Sequence, residues 1–279
     1  MPWKLYVDSR KRVPGARGDT DSDFAIQLPY PIEVSGKAYV DVFLLTNNAH
    51  TIYSGNDRIY LDEGSAQTKR VATLAHGQYN VFELKDALVV ALNNNKTITG
   101  QYRVTYLPTP NRLQIDLVNP ASSDSFRIWQ DQQLKAQIAA WQGITTIAVD
   151  DLRSANRVCG FMGNSILVGT ATQAVTAPKA SDVQRHKQLF LRSSLGGGSH
   201  QSLGPNNETD IIRRIVVGNA PLNSVIVDVH STPLDCVKIN GNPELNTIWF
   251  QLVDVDGNIV DTHGHPVSFS IIFVDVVEE

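Results

Sequence analysis

The sequence predicts a mainly β protein: a sandwich assembled from both ends of the chain and interrupted by a smaller block of mixed α and β character. Three observations lead there. Residues 246–277 read as a pair of alternating strands, the first fifty residues leave room for three strands and little helix, and one well-capped helix falls at residues 80–95.

The composition fits this class. With 42% hydrophobic and 19% charged residues over 279 positions, the chain is an ordinary globular one, long enough for one large β domain or two smaller ones. A net charge of −4 argues against a role in coating nucleic acid or reading its sequence. The apolar runs fall well short of the roughly 18 residues that cross a bilayer, so no membrane span is expected. The first residues carry no apolar segment followed by a small-residue cleavage site, so no secretory signal is expected either. Cys159 and Cys236 sit inside apolar runs and read as buried thiols, which points to folding in a reducing compartment.

In chain order, residues 4–8 read as a strand and 9–23 as a polar loop or flexible arm holding Pro14, Gly15 and Gly18. Alternation returns at 24–28, which Pro29-Tyr30-Pro31 should stop, and a stronger β run covers 38–45. Short strands follow at 58–61 and 70–74. Asn80 can then cap a helix and Glu83 can reach back to complete a capping box, with Leu84, Leu88, Ala91 and Leu92 forming its buried stripe. Residues 101–106 and 112–117 read as a hairpin, 125–129 as a further strand and 131–141 as a second helix. The block 53–163 therefore looks like an inserted α+β domain. Beyond it, 169–181 lacks periodicity and reads as a linker, and 193–207, with Gly196-Gly197-Gly198, as a long mobile loop. Strands at 188–192, 211–217, 224–230 and 235–239 lead to the closing pair, which reads as a β-hairpin turning through Asp256-Gly257-Asn258.

Few motifs suggest chemistry. Arg17-Gly18-Asp19 is the tripeptide that integrins recognise, set in a segment expected to be exposed, though a solvated arm is the simpler account. Asp261, His263 and His265 form a D-x-H-x-H cluster that could meet one metal on an extended strand, but no fourth ligand is identifiable and Pro266 favours a polar loop. Asp254-Val255-Asp256-Gly257-Asn258 lacks the alternating ligands and closing glutamate of a calcium loop, which leaves a type I′ hairpin turn. Adjacent Arg213 and Arg214 face opposite sides of a strand, so one of them should pair or reach an interface. No nucleophile elbow, phosphate loop, H-E-x-x-H or paired C-x-x-C occurs, so neither an enzyme nor a cofactor is expected.

The order of these segments carries a resemblance. Residues 24–29 and 38–42, Gly77-Gln78-Tyr79 ahead of a helix ending in Leu92-Asn93, Ile211-Ile212-Arg213-Arg214-Ile215, and the closing segments 250–258 and 268–273 together resemble the penton or minor capsid proteins of double-stranded DNA viruses and of virus-like elements of the Polinton and virophage kind. The resemblance implies a single jelly roll over residues 1–52 plus 164–279, with 53–163 inserted and facing outward. It implies a structural virion protein at the capsid vertex, made in the host cytoplasm or nucleus. Its partners would be four further copies in a homopentamer, the major capsid protein and, as a candidate, a host receptor. The rival readings are a phage-type tail, neck or fibre component, and a receptor- or carbohydrate-binding β module.

Overall fold

The computed structural model describes residues 3–32, 36–196, 204, 206–218, 223–229, 236–239 and 245–274. Two compact units divide the chain: Met1–Ala49 with His186–Glu279, and His50–Arg185 between them. The strands in order are β1 (Trp3–Asp8), β2 (Asp23–Ile32), β3 (Gly36–Thr46), β4 (Arg58–Glu63) and β5 (Thr68–Thr73). Helix α1 (Val81–Asn93) precedes β6 (Gln101–Leu107), β7 (Arg112–Val118) and β8 (Ser125–Ile128). Short helices α2 (Asp131–Ala136) and α3 (Asn156–Cys159) are followed by β9 (Leu167–Thr170) and β10 (Val175–Thr176). The chain then forms β11 (Gln188–Ser193), β12 (Ile211–Val216), β13 (Val225–Asp228), β14 (Val237–Ile239), β15 (Leu245–Val253) and β16 (Ser268–Val274).

The first unit is a jelly roll. One sheet runs β1-β16-β3-β13, with β14 also on β3, and the facing sheet runs β12-β11-β15-β2. Every pairing in both sheets is antiparallel. The closing strands β15 and β16 fall in different sheets, and the sandwich closes through non-local pairs such as Phe273 opposite Trp3. Its core joins Phe24 and Phe250 of one sheet to Phe43 and Phe269 of the other, and the Phe250 and Phe269 rings meet edge-on at 4.9 Å.

The second unit holds the helix that the sequence announces. Asn80 Oδ1 accepts from the Phe82 and Glu83 amides while Glu83 accepts from the Asn80 amide, which completes the capping box, and Leu84, Leu88, Ala91 and Leu92 are the buried stripe. That stripe joins residues of β4 to β8 in one core, while Tyr60, Trp129, Leu134 and Trp141 make a smaller aromatic cluster.

Several expectations need correction. The closing strands are not a hairpin: β15 pairs with β2 and β11, β16 pairs with β1 and β3, and the two lie in opposite sheets. Their connecting turn is not type I′ either. Only Gly257 has a positive φ, +81°, and Asp254 Oδ1 accepts from the Asp256 and Asn258 amides, so a buried aspartate organises a turn whose return ends at the Val253–Ile259 bridge. The prolines do not stop β2, because an edge strand tolerates residues that lack an N–H. The expected linker at 169–181 carries β10 and the end of β9, which pair with β7 and β8, so the return to the jelly roll moves from residue 164 to 186. The second predicted helix ends early, at Ala136, and a 3-10 turn at Ile138–Ala140 brings Trp141 into the core. Cys159 is buried as expected, but Cys236 is only half-buried. Most of the glycine-rich loop, residues 197–203 and 205, lies outside the described residues.

Candidate interaction surfaces

The polar arm after β1 is laced down rather than free. Arg12 bonds Asp19 at 2.8 Å and Asp21 at 3.2 Å. The Arg17 guanidinium lies 4.0 Å over the Trp249 ring and donates to Asp23 at 2.7 Å. From Asp23 a polar chain crosses the outer face of the four-stranded sheet. Gln251 donates to Asp23 at 3.2 Å, Arg192 donates to Gln251 at 2.9 Å, and Arg192 grips Asp210 through Nε at 2.8 Å and Nη2 at 3.0 Å. Both charged side chains of the Arg17-Gly18-Asp19 tripeptide thus hold partners within the chain: Asp23 and Trp249 for Arg17, Arg12 and the Gly15 amide for Asp19.

Asp261, His263 and His265 sit in a turn, where Asp261 accepts from the His263 amide at 2.8 Å and meets its Nδ1 at 3.1 Å. His263 has φ +49°, and the His265 amide donates to Thr262 O. The extended backbone needed to put all three on one face is absent, and among the described residues no three His, Cys, Asp or Glu side chains form a group that could hold a metal. Arg213 of the adjacent arginines is the buried one. It reaches Asp228 at 2.6 Å, an ion pair that ties β12 of one sheet to β13 of the other. Arg214 is exposed.

By contrast, the outer face of the sheet β1-β16-β3-β13 sets exposed apolar side chains beside a polar cluster of Lys4, Asp41, Ser270, Ser268 and Asp8. Tyr6 on β1 is 77% exposed, Leu44 on β3 is exposed, and Val225 and Val227 on β13 are each 56% exposed. Leu44 stands opposite Val227 in the register, so these two are neighbours, while Tyr6 lies across β16 from them, opposite Ser270. At the β1 end this face passes into a depression of about 540 Å³, lined among others by Leu5, Val42, Ile26 and Leu28. No motif marks this surface. The signal for it was that strands here carry apolar residues on both faces, which in a two-layer sandwich leaves one set uncovered.

In the inserted unit the buried pair Glu63 and Arg70 is structural. Glu63, 1% exposed, accepts from Arg70 Nη2 at 2.6 Å, Tyr102 Oη at 2.8 Å, and the Thr97 amide and hydroxyl at 2.7 and 2.8 Å. Arg70 in turn donates to the carbonyls of Leu92 and Asn94 and so finishes the C-terminal end of α1. Burial, and the neighbouring Glu63 carboxylate, push the Tyr102 phenol well above its usual range. The Cys159 thiol is pushed up to about 12 by burial alone, so it is inert as a nucleophile near neutrality. Trp129 and Trp141 are buried, and neither offers the open aromatic platform on which a sugar ring stacks. Burial works to raise the Asp124 carboxyl, but amide hydrogens, led by that of Gly100 at 2.7 Å, outweigh it and hold the group below 3.8. A depressed folded pKa gives stability that is complete above the unfolded value and lost as pH falls through the folded one. Asp124→Asn should therefore cost about 1–3 kcal/mol in urea unfolding at pH 7, and the difference from the parent should shrink steadily below pH 3.8.

Among the described residues no helix is long and apolar enough to cross a membrane. No protein-family model and no curated protein matches the sequence. The fold does have a solved counterpart: the chain is similar over 99% of its length to the crystal structure of the selenomethionine-labelled mavirus penton protein, all of which is covered, at 11% identity and a TM-score of 0.52, so this is a mainly β, jelly-roll chain with a penton-like fold.

Proposed function

We propose that this protein is a structural capsid subunit that self-associates around a five-fold vertex of a double-stranded DNA virus particle and contacts the major capsid protein, with no catalytic role. The observation that carries the reading is the end-to-end similarity in fold to a penton protein, which covers the inserted unit as well as the jelly roll. The side chains of Tyr6, Leu44, Val225 and Val227, exposed among the described residues of the β1-β16-β3-β13 sheet, support it, because a closed ring needs a repeated heterologous contact and apolar side chains of this kind are what such contacts bury. Self-association, the shell partner and residence in the virion follow from this proposal as parts of one role, and a host receptor is a further candidate partner. The inserted unit, on this reading, faces outward.

Negative-stain electron microscopy of the purified full chain tests it, with light scattering for mass. Rings of five subunits are the expected result. Three- or six-fold particles would favour the tail or fibre reading, and a strict monomer at capsid-like salt and pH, missing from purified particles, would end the vertex reading.

A further inference from the structure

Strand β1 is an edge whose backbone and side chains are complementary to themselves. Among the described residues it pairs only with β16. The Ser9 amide still donates to Val267 O at 2.9 Å, so the two-residue period of an antiparallel ladder assigns Trp3, Leu5 and Val7 to the bonds with β16. The N–H and C=O groups of Lys4 and Tyr6 and the N–H of Asp8 are left facing the open side, while the Asp8 C=O begins the 3-10 turn Ser9–Lys11. The edge of the opposite sheet is treated differently. On β2 the Asp23 and Ala25 carbonyls accept from the Thr20 and Val13 amides, and Pro29 and Pro31 have no N–H to offer. Among the described residues, one edge of the sandwich is thus closed to strand addition and β1 is open.

We propose that β1 pairs antiparallel with β1 of a second copy of this chain, about a two-fold axis through Tyr6. Lys4, Tyr6 and Asp8 share the outer face of the strand. Centred on Tyr6, the pairing sets Lys4 of each copy opposite Asp8 of the other and Tyr6 opposite Tyr6, and it uses the outward N–H groups of all three residues and the outward C=O groups of Lys4 and Tyr6. Centring on Lys4 or on Asp8 instead sets like charges face to face, and centring on Leu5 or Val7 leaves Lys4 or Asp8 opposite Tyr6, so only the Tyr6 centre pairs opposite charges on both sides. The two groups already hold exposed partners, Asp41 at 2.5 Å from Lys4 and Arg10 at 2.6 Å from Asp8, and the cross-copy pairs join these. Beneath the edge, the half-buried Leu5 and the depression beside Ile26 and Leu28 offer apolar surface for the incoming strand's Leu5 to cover. This is a two-fold contact, separate from any five-fold ring, and it stands whether or not the ring forms.

Sedimentation of the full chain over a concentration series tests it. The parent should double in mass, from one chain to two or from one ring to two. Lys4→Glu alone and Asp8→Lys alone should each weaken the doubling at least tenfold, because each sets like charges opposite. An equimolar mixture of the two variants should restore it, since opposite charges then face each other at both cross-copy pairs. Tyr6→Pro deletes an N–H that faces the open edge and spares the ladder to β16, and it too should abolish doubling while near-ultraviolet circular dichroism stays native. No doubling in the parent, doubling that persists in Tyr6→Pro, or a mixture that behaves like its separate components overturns the proposal. A loss of five-fold rings with doubling intact would count against the vertex reading alone.

Discussion

Replacing Arg70 by methionine is expected to destabilise the inserted unit by about 3–5 kcal/mol, among the largest effects of any single change in the chain. The reason is what the substitution leaves behind. Glu63 keeps the Thr97 and Tyr102 donors but loses the cation that balances it at a site 1% exposed. The carbonyls of Leu92 and Asn94 lose their donor at the same time, so the last turn of α1 is undone along with the charge balance. Hydrogen exchange resolved by segment would read this as loss of protection in 81–93 and in β4 and β5, with β11 and β15 unchanged. A double change, Glu63→Leu with Arg70→Met, should recover part of the loss, because removing both charges removes the unpaired one. Equal instability of single and double variants would show that the carbonyl bonds, not the carboxylate, dominate.

Phe250→Ala should cost the jelly-roll unit a similar amount, about 3–5 kcal/mol. The ring is wholly buried, touches Phe24 within its own sheet at 5.7 Å and meets Phe269 of the facing sheet at 4.9 Å and 76°. Truncation removes apolar area, two aromatic contacts and a ring that joins both layers, and leaves a void that neither sheet can close without breaking its ladder. Phe250→Leu, which refills most of the space, should cost markedly less. Denaturant unfolding of the parent and both variants measures this, and matched losses for Ala and Leu would mean that edge-on ring geometry outweighs volume.

Local features of this fold were legible in the sequence and pairings were not. The cap on α1 was readable because Asn80 and Glu83 meet across three residues, and its buried stripe because helical spacing fixes which side chains share a face. Strands 245–253 and 268–274 were readable one by one from their alternation. Their joining as a hairpin was not, since alternation reports the two faces of a strand and says nothing of its neighbours; here the true partners of β16, β1 and β3, come from the opposite end of the chain. The linker expected at 169–181 failed for a related reason: β10 is two residues long and exists only because β7 offers an edge. At the candidate surfaces, the choice between a loop and a flexible arm at 9–23 falls to an anchored loop, which the local sequence does not reveal because its anchor, Trp249, is remote from Arg17. The Asp261, His263 and His265 cluster relied on an extended backbone that a positive φ at His263 rules out.

The way the inserted unit is held at its root has a practical consequence. Thr51 donates to Val183 O at 3.1 Å, which clamps the first and last turns of residues 50–185 together, and on the jelly-roll side Asn48 and His186 line one small recess. Chain ends that close in space can be rejoined by a few residues at little entropic cost. The position between β3 and β11 is therefore a socket, and a foreign domain with similarly adjacent termini could be spliced there without rewiring the sandwich that carries it.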